Sequence, residues 1–273
     1  MAGDVLLEVR DLRKSYAVAA SAIHQAEGDP PATSAPIVGV DGVSFSLAPG
    51  ETLGIVGESG CGKTTLARML LRLVEPDSGE MRFRGQDWRG ARGADLRALR
   101  RRIQMVFQDP VASLNARMRV GAIVGEPLAI HEAGLTRADR HARAAQMLEA
   151  VGLGAEALER YPHEFSGGQR QRIGIARALI LRPELVVADE PVSALDVSVG
   201  AQVLLLLQEL QKEFGLTYIF ISHSLPVVAQ IATRVAVMKR GRFVETGDVD
   251  LVLKRPVEEY TKELLAAVPE IPR

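Results

Sequence analysis

The segment 57–65 reads Gly-Glu-Ser-Gly-Cys-Gly-Lys-Thr-Thr and lies between an apolar run and a helical pattern. The run 53–56 predicts a buried strand, and the spacing of Leu66, Met69, Leu70 and Leu73 predicts an apolar helix face. A glycine-rich loop between a strand and a helix turns its backbone N–H groups inward, next to the positive end of the helix dipole. This combination favours phosphate, so the sequence predicts a nucleotide-binding α/β fold.

The residues of this loop have separate tasks. Lys63 is expected to reach the β- and γ-phosphate oxygens, and the Thr64 hydroxyl to be a ligand of Mg²⁺. A flexible loop rich in glycine and serine is the alternative, which the flanking strand and helix disfavour. The predicted nucleotide-binding residues of the loop are Gly57, Glu58, Ser59, Gly60, Cys61, Gly62, Lys63, Thr64 and Thr65.

Composition argues against several other classes of protein. The formal net charge of -1 gives no reason to expect a nucleic-acid partner. The only cysteine is Cys61, so neither a disulfide framework nor a thiolate metal cluster is expected, and a reducing cytoplasm fits. The strongest aliphatic run, 203–207, is far below the roughly 20 residues of a membrane span. The start of the chain shows no signal-peptide pattern, so membrane association is expected only through a partner.

Apolar runs and turn signals alternate along the rest of the chain. This alternation predicts a mainly parallel sheet covered by helices. Strands are predicted at 6–9, 43–47, 103–107, 185–188 and 218–222, a helix at 199–214, and a hairpin with strands at 235–238 and 243–245. The predicted organisation is a nucleotide-binding α/β core at 1–108 and 182–248 with a surface loop at 17–36, a helical subdomain at 109–181, and a helical tail at 249–273.

Two adjacent carboxylates follow the predicted strand 185–188. The carboxyl ends of strands are where open α/β sheets bind ligands. Adjacent acids at such a place need a cation and a hydrogen-bonding partner. Asp189 is therefore expected to hold Mg²⁺ through water, and Glu190 to polarise the attacking water. A polar loop after a strand is the alternative, and it explains one acid more easily than two.

The sequence Ser-Gly-Gly-Gln at 166–169 precedes another helical pattern. Ser166 is a typical N-cap, and Gly167 and Gly168 leave the first backbone N–H groups of the helix bare to a ligand. Such a tetrapeptide alone is more often a loop than a site. Its position between the phosphate loop and the paired acids favours a functional role.

Together these motifs resemble the ATP-binding subunit of an ABC transporter over nearly the whole chain. The Walker A loop corresponds to 57–65, the signature motif to 165–169, the Walker B strand to 185–190 and the D-loop to 193–196. The resemblance implies that Gln108 is the Q-loop glutamine, His223 the switch histidine and Tyr16 the aromatic residue on which adenine stacks. Taken singly, these three have plainer alternatives: a strand-end amide, a core histidine and a surface aromatic.

The resemblance assigns the site residues as follows. The catalytic residues are Lys63, Gln108, Glu190 and His223, and the metal ligands are Thr64, Gln108 and Asp189. Besides the phosphate loop, the nucleotide-binding residues are Tyr16, Gln108, Ser166, Gly167, Gly168, Gln169, Asp189, Glu190 and His223. The implied ligands are ATP and Mg²⁺. The implied fold is a P-loop NTPase (RecA-like) with a mainly parallel sheet core, an N-terminal antiparallel β subdomain and an α-helical insertion subdomain.

Further segments resemble the ATPase subunits of oligopeptide and dipeptide permeases, specifically the second ATPase of such importers. These segments are 107–110, 112–115, 160–165 and 259–261. That group also includes importers of nickel and other small solutes, which stay open as alternatives. Three departures from the pattern concern Phe165 in place of leucine, Ser224 where aspartate commonly follows the switch histidine, and 257–260 where His-Pro-Tyr is frequent.

The resemblance also implies partners. Two such subunits, identical or different, would sandwich ATP between the Walker A loop of one and the signature helix of the other. The pair would bind integral-membrane permease subunits at the cytoplasmic face of the inner membrane and act indirectly with an extracytoplasmic solute-binding protein. A soluble ABC protein of DNA repair or translation is disfavoured by the absence of heptads and repeats in the sequence. A non-hydrolysing ATP-gated module is disfavoured by Glu190 and His223.

Overall fold

The computed structural model describes residues 5–17 and 36–267 as two sheets and a set of helices. The strands are β1 (Leu7–Tyr16), β2 (Ile37–Leu47), β3 (Thr52–Val56), β4 (Ser78–Phe83), β5 (Gln86–Asp87), β6 (Ile103–Val106), β7 (Leu185–Asp189), β8 (Thr217–Ser222), β9 (Arg234–Lys239) and β10 (Arg242–Asp248). The helices are α1 (Lys63–Leu70), α2 (Gly93–Arg102), α3 (Pro110–Ser113), α4 (Val120–His131), α5 (Arg137–Ala150), α6 (Gly167–Leu179), α7 (Val197–Phe214), α8 (Leu225–Ile231), α9 (Val249–Lys254) and α10 (Glu259–Ala266). Short 3₁₀ helices cover Ala155–Glu159 and Pro162–Glu164.

The larger sheet has the strand order β10-β9-β3-β8-β7-β6. Strands β9, β3, β8, β7 and β6 pair in parallel, and β10 forms an antiparallel hairpin with β9. Strands β3, β7 and β8 are buried along their whole length, because helices cover both faces of a parallel sheet. The carboxyl ends of parallel strands meet at one edge, so the segments that follow β3, β6, β7 and β8 emerge together. This edge carries the site.

The smaller sheet is antiparallel, with the order β2-β1-β4-β5. Its buried face packs against α1 and the larger sheet in one apolar cluster, to which Val9, Phe45, Phe83, Leu66 and Ile55 belong. The expected antiparallel subdomain beside a mainly parallel core is confirmed. It supports the underside of α1 and so the phosphate loop.

The helices α3 to α6 lie in sequence between β6 and β7, within the segment 109–181 expected to be helical. They share an apolar cluster with α7 and the larger sheet, in which Val124, Leu148, Ile173, Leu207 and Phe220 are buried. The limits of the subdomains stay a prediction, as does the tail at 249–273, whose described part forms α9 and α10. In the described ranges no helix combines the length and the low charge needed to cross a bilayer.

Several local expectations were wrong or incomplete. Strands β1 and β2 extend beyond 6–9 and 43–47, and β4 and α2 were not predicted. Helix α1 ends at Leu70, so Leu73 does not share its buried face and is 56% exposed. The helix ends in a left-handed turn at Arg72, φ 54°, where the N–H groups of Arg72 and Leu73 donate to the carbonyls of Met69 at 2.9 Å and Arg68 at 2.8 Å. The Trp88 indole N–H donates to the freed Leu70 carbonyl at 2.6 Å. The predicted loop at 17–36 lies almost entirely outside the described residues.

Candidate active site

Close packing of the phosphate loop explains two of its glycines. A Cβ atom on Gly57 would lie 2.2 Å from the carbonyl oxygen of Met238 in β9. A Cβ atom on Gly62, whose φ is 113°, would lie 2.0 Å from the carbonyl oxygen of Gly39 in β2. Backbone atoms cannot move aside as a flexible side chain can, so only glycine lets the loop lie against both strands. The loop is therefore shaped by tertiary contacts as well as by its own sequence.

Lys63 is buried, with 5% of its surface exposed, and its side chain folds back along the loop. The ammonium Nζ donates hydrogen bonds to the carbonyl oxygens of Gly57 at 2.7 Å and Glu58 at 2.9 Å. These bonds offset part of the cost of burying the charge. A desolvated ammonium group attracts phosphate strongly, so Lys63 suits the role that the sequence predicts.

Cys61 lies within the same loop and is also buried, at 8% exposure. Burial raises the pKa of its thiol, while the nearby charge of Lys63 acts in the opposite direction. A thiol with a raised pKa is a poor nucleophile at neutral pH, because the thiolate is the reactive form. Cys61 is therefore poorly suited to act as a nucleophile in the loop.

Asp189 ends β7 and has the properties of a metal ligand. It is 3% exposed, and burial raises the pKa of its carboxyl group, although a hydrogen bond from the Thr64 side chain lowers it. Its Oδ1 atom has no hydrogen-bond partner within the described part of the chain. A buried, unpartnered carboxylate oxygen beside a hydroxyl group suits Mg²⁺, which prefers oxygen ligands and retains water. Thr64, Gln108 and Asp189 line one groove of about 720 Å³, so the predicted ligands fit the ion.

Two side chains that follow other strands of the larger sheet contact the Glu190 carboxylate. The imidazole Nδ1 of His223, after β8, lies 3.0 Å from Glu190 Oε2. The amide Nε2 of Gln108, after β6, donates to the same oxygen over a long 3.4 Å. A carboxylate can only accept, so Nδ1 of His223 carries the hydrogen in this contact. Three of the four predicted catalytic residues, all except Lys63, therefore meet at one carboxylate oxygen.

The backbone at Glu190 is unusual. Its φ is 46°, in the left-handed region that a residue with a long side chain rarely adopts. The Glu190 N–H donates to the Ile221 carbonyl at 2.9 Å, and the Glu190 carbonyl accepts from the Ser193 hydroxyl at 3.0 Å. The first hydrogen bond attaches the Glu190 backbone to β8, and the second attaches it to Ser193 of the D-loop. Strain of this kind persists where surrounding structure fixes it, commonly at active sites.

The signature segment forms the N-terminus of α6. The Ser166 hydroxyl accepts from the Gln169 N–H at 3.3 Å, and Gln169 Oε1 accepts from the Ser166 N–H at 3.0 Å. This capping box confirms Ser166 as the N-cap and occupies the N–H of the third helical residue, Gln169, while the expectation for the N–H groups of Gly167 and Gly168 stays a prediction. Gly168 allows close packing on α7, since a Cβ atom there would lie 2.4 Å from Val199 Cγ1. Ser166 and Gly167 remain exposed.

Two of the departures from the family pattern are accommodated. Phe165 is buried, and the Arg160 guanidinium lies 4.4 Å from its ring centroid, so an apolar anchor is kept. Ser224 donates its backbone N–H to the Ser222 hydroxyl at 3.0 Å, while His223 keeps Glu190 as its partner. The histidine thus has an oriented contact without an aspartate after it.

Tyr16 ends β1 with its ring partly exposed, at 39%. A Cβ atom on Gly39 would lie 3.0 Å from Tyr16 Cε2 and 3.1 Å from Thr65 Cγ2, so the ring and the start of α1 flank the same point. The Lys14 ammonium lies 5.7 Å from the ring centroid. An open aromatic face beside the phosphate loop suits stacking on a base, and this role of Tyr16 stays a prediction.

One contact of the phosphate loop was not predicted. The Glu58 N–H donates to the Tyr260 hydroxyl of α10 at 3.2 Å, across a separation of 202 positions. The sequence marked 259–261 only as part of a subfamily resemblance. No local periodicity or motif spacing connects two positions so far apart, so only the fold reveals the contact.

The parallel sheet, the loop around Lys63 and the acids after β7 define a P-loop ATPase. A family model described as ABC transporter matches residues 40–193. The chain is 50% identical to the oligopeptide transport ATP-binding protein AppF of Bacillus subtilis over 267 residues, covering 97% of this chain and 79% of that protein. It is 51% identical to OppF of Salmonella typhimurium, also an oligopeptide transport ATP-binding protein, over 265 residues, covering 97% of this chain and 78% of that protein.

Solved structures agree with this assignment. A dimeric post-hydrolysis state of the ATP-binding cassette MJ0796, bound to ADP and Pi, has a TM-score of 0.75 and 27% identity, covering 89% of this chain and 99% of that one. The chain therefore belongs to the ABC transporter family, as an ATP-binding subunit with ATPase activity.

Proposed function

We propose that this chain hydrolyses ATP to energise the import of peptides through a membrane transporter. The observation that carries hydrolysis is the meeting of Gln108 and His223 at the Glu190 carboxylate. The two relatives, at about half identity, support oligopeptides as the transported class. Import of nickel or another small solute by the same ATPase is the alternative, because the solute contacts other subunits.

The residues of the site have different roles. Lys63 binds the phosphates, and Tyr16 supports the adenine. Thr64, Asp189 and Gln108 hold Mg²⁺, which when bound supplies positive charge against the β- and γ-phosphates. Glu190 orients water as the general base, while His223 opposes the charge that develops on the γ-phosphate. Catalysis of phosphoryl transfer rests mainly on such positioning.

The exposed N-terminus of α6 supports a composite site. Ser166 and Gly167 point to a ligand shared with another molecule, since their exposure contrasts with the burial of Lys63 and Asp189. Two subunits arranged head to tail would place the signature segment of one over the phosphates bound to the other. ATP then acts as a ligand that favours the closed pair, and hydrolysis removes the contacts that held it. The second subunit is either a copy of this chain or a different ATPase.

Gln108 connects this chemistry to the helices α3 to α6. It lies in the short segment between β6 and α3, and it lines the same groove as Glu126 of α4 and Arg177 of α6. A shift of Gln108 toward or away from the γ-phosphate would therefore alter the position of this helical region. We place integral-membrane permease subunits against that region, which puts the chain at the cytoplasmic face of the inner membrane. A solute-binding protein would act on the far side.

Purification of the tagged chain from its native membrane tests this proposal. We expect two permease subunits to co-purify, and the reconstituted complex to hydrolyse ATP several times faster when its solute-binding protein is loaded with peptide. The Glu190→Gln complex should show no such increase. Stimulation by a nickel salt instead of peptide would select the alternative, and a chain that hydrolyses ATP but recovers no membrane subunit would contradict the transport role.

A further inference from the structure

The C-terminal helix α10 contacts the phosphate loop through one buried tyrosine. Tyr260 is 5% exposed, although α10 has few residues and lies near the end of the described chain. Its hydroxyl accepts the hydrogen bond from the Glu58 N–H at 3.2 Å. A helix remote in sequence is thus attached to the element that binds the phosphates.

The peptide group that joins Gly57 to Glu58 is held at both ends. Its N–H donates to Tyr260, and its carbonyl accepts from Lys63 Nζ at 2.7 Å. In a trans peptide the N–H and the carbonyl point in opposite directions, so Tyr260 and Lys63 approach from opposite sides. Rotation of this peptide would break both hydrogen bonds. The position of the Lys63 ammonium is therefore linked to the tyrosine hydroxyl.

The tail is anchored independently of this contact. The Glu245 carboxylate of β10 accepts from the backbone N–H groups of Val257 at 2.9 Å and Glu258 at 3.2 Å, which lead into α10. The Lys239 ammonium, at the end of β9, lies 4.1 Å from the Tyr260 ring centroid. The ring is thus held by the β9–β10 hairpin, and its hydroxyl is presented to the loop from a fixed base.

We propose that Tyr260 is a positioning residue for nucleotide binding. By fixing the peptide between Gly57 and Glu58, it holds the loop and Lys63 in the binding conformation before the nucleotide arrives. A loop that is ordered beforehand loses less conformational entropy on binding, so its affinity is higher. This inference rests on the nucleotide-binding part of the proposed function and is independent of the transported solute.

The first test compares two identical substitutions in the full-length chain. Tyr260→Phe removes only the hydroxyl and keeps the ring and its contact with Lys239. Tyr218→Phe is the control, because the Tyr218 hydroxyl is also buried and donates to the Leu207 carbonyl at 3.2 Å, in the core. By equilibrium titration we expect Y260F to raise the Kd of MgATP and of MgADP about 3- to 10-fold, the effect of one hydrogen bond. Y218F should leave both values unchanged while lowering the melting temperature.

The second test uses Cys61 as a probe inside the loop. It is the only cysteine of the chain and is buried, so its alkylation reports opening of the loop. Without nucleotide, Y260F should be alkylated several times faster than the wild type and Y218F at the wild-type rate. Saturating MgATP should suppress the difference. At saturating ATP, kcat should stay within about twofold of the wild type, since Tyr260 does not touch the reacting atoms.

The outcomes separate this inference from the proposed function. Unchanged affinity and unchanged alkylation in Y260F would overturn the positioning role while leaving the ATPase assignment intact. Tighter ATP binding by Y260F would also overturn it, because the contact would then oppose the binding conformation. A wild-type chain that binds no ATP would overturn both.

Discussion

The imidazole Nδ1 of His223 lies 3.0 Å from the Glu190 carboxylate oxygen Oε2. The two side chains follow β8 and β7, which are neighbours in the central sheet. Their surroundings differ, since the Glu190 side chain is 16% exposed and that of His223 is 57% exposed. The carboxylate is thus fixed by its backbone and its neighbours, whereas the imidazole is free on one side to turn toward a bound phosphate.

Glu190→Gln should abolish most turnover while keeping ATP binding. The amide preserves the shape and the contacts with Gln108 and His223 but cannot accept a proton from water. We expect kcat to fall by about 10²- to 10⁴-fold, measured as steady-state phosphate release, with the ATP Kd little changed. Glu184→Gln is the matched control, because Glu184 directly precedes β7 at its other end and pairs with Arg84 and Arg102. Near-normal hydrolysis by E190Q would remove Glu190 as the base.

His223 and Glu190 should not contribute independently. We expect His223→Ala to lower kcat by about 10²-fold, the usual loss when one electrostatic contact to a transition state is removed. In the E190Q background the same change should lower kcat by less than about tenfold, because residues that act as a unit are not additive. His141→Ala is the control. His141 is an exposed histidine of α5, outside the site, and its ring also lies near a carboxylate, that of Glu159 at 3.4 Å. If kcat of the double variant fell by the product of the two single losses, Glu190 and His223 would act independently, and the prediction would be wrong.

Ser166→Arg should block ATP-dependent dimerisation without affecting nucleotide binding by the monomer. A long cation at the exposed start of α6 occupies the place of the phosphates of a facing subunit. The substitution also removes an N-cap, which costs about 0.5–2 kcal/mol. Thr136→Arg removes an equivalent capping box at the start of α5 and so controls for that loss. The Glu190→Gln background keeps ATP unhydrolysed, and size-exclusion chromatography with MgATP should show dimers for T136R and monomers for S166R. Equal dimerisation of both variants would contradict the sandwich arrangement.

Asp189→Asn should stabilise the nucleotide-free chain and weaken its response to MgATP. Burial raises the pKa of the Asp189 carboxyl group in the folded chain. The contribution of this group to folding stability is therefore fully present below its pKa in the unfolded chain, and it is lost as the pH rises through its pKa in the folded chain. At pH 7 the buried charge is therefore destabilising, and a neutral amide relieves it. We expect a higher melting temperature at pH 7, by about 2–4 °C for each kcal/mol relieved. The gain should shrink as the pH falls toward 4.

A control substitution should change the melting temperature in the opposite direction. Asp41→Asn removes the ion-pair partner of Arg13 and Arg242 and should lower the melting temperature. In the D189N chain, the rise in melting temperature produced by saturating MgATP should be smaller than in the wild type, because a ligand of Mg²⁺ is lost. A nucleotide-free D189N chain that melts below the wild type would contradict this prediction, because the contacts of the carboxylate, such as the hydrogen bond from Thr64, would then outweigh the cost of burying its charge.

Much of the site could be predicted because its chemistry is local in sequence. The loop 57–65, the acids after β7 and the cap at Ser166 each depend on neighbouring residues. The alternation of apolar runs with helical periodicity also predicted the mainly parallel sheet, whose carboxyl edge carries the site. The end of α1 at Leu70 was not predicted, because the left-handed residue that follows it is Arg72 and not the glycine that usually marks such a helix end.

What the sequence by itself determined is the set of chemical groups and the backbone signals that shape each short segment. The tertiary structure alone decided which groups share an oxygen or a peptide. It brought His223 and Gln108 to one carboxylate oxygen, and it placed Tyr260 on the peptide that Lys63 holds from the other side. The physical reason is that strand order and helix packing bring distant segments together, and local periodicity contains no information about which segments those are.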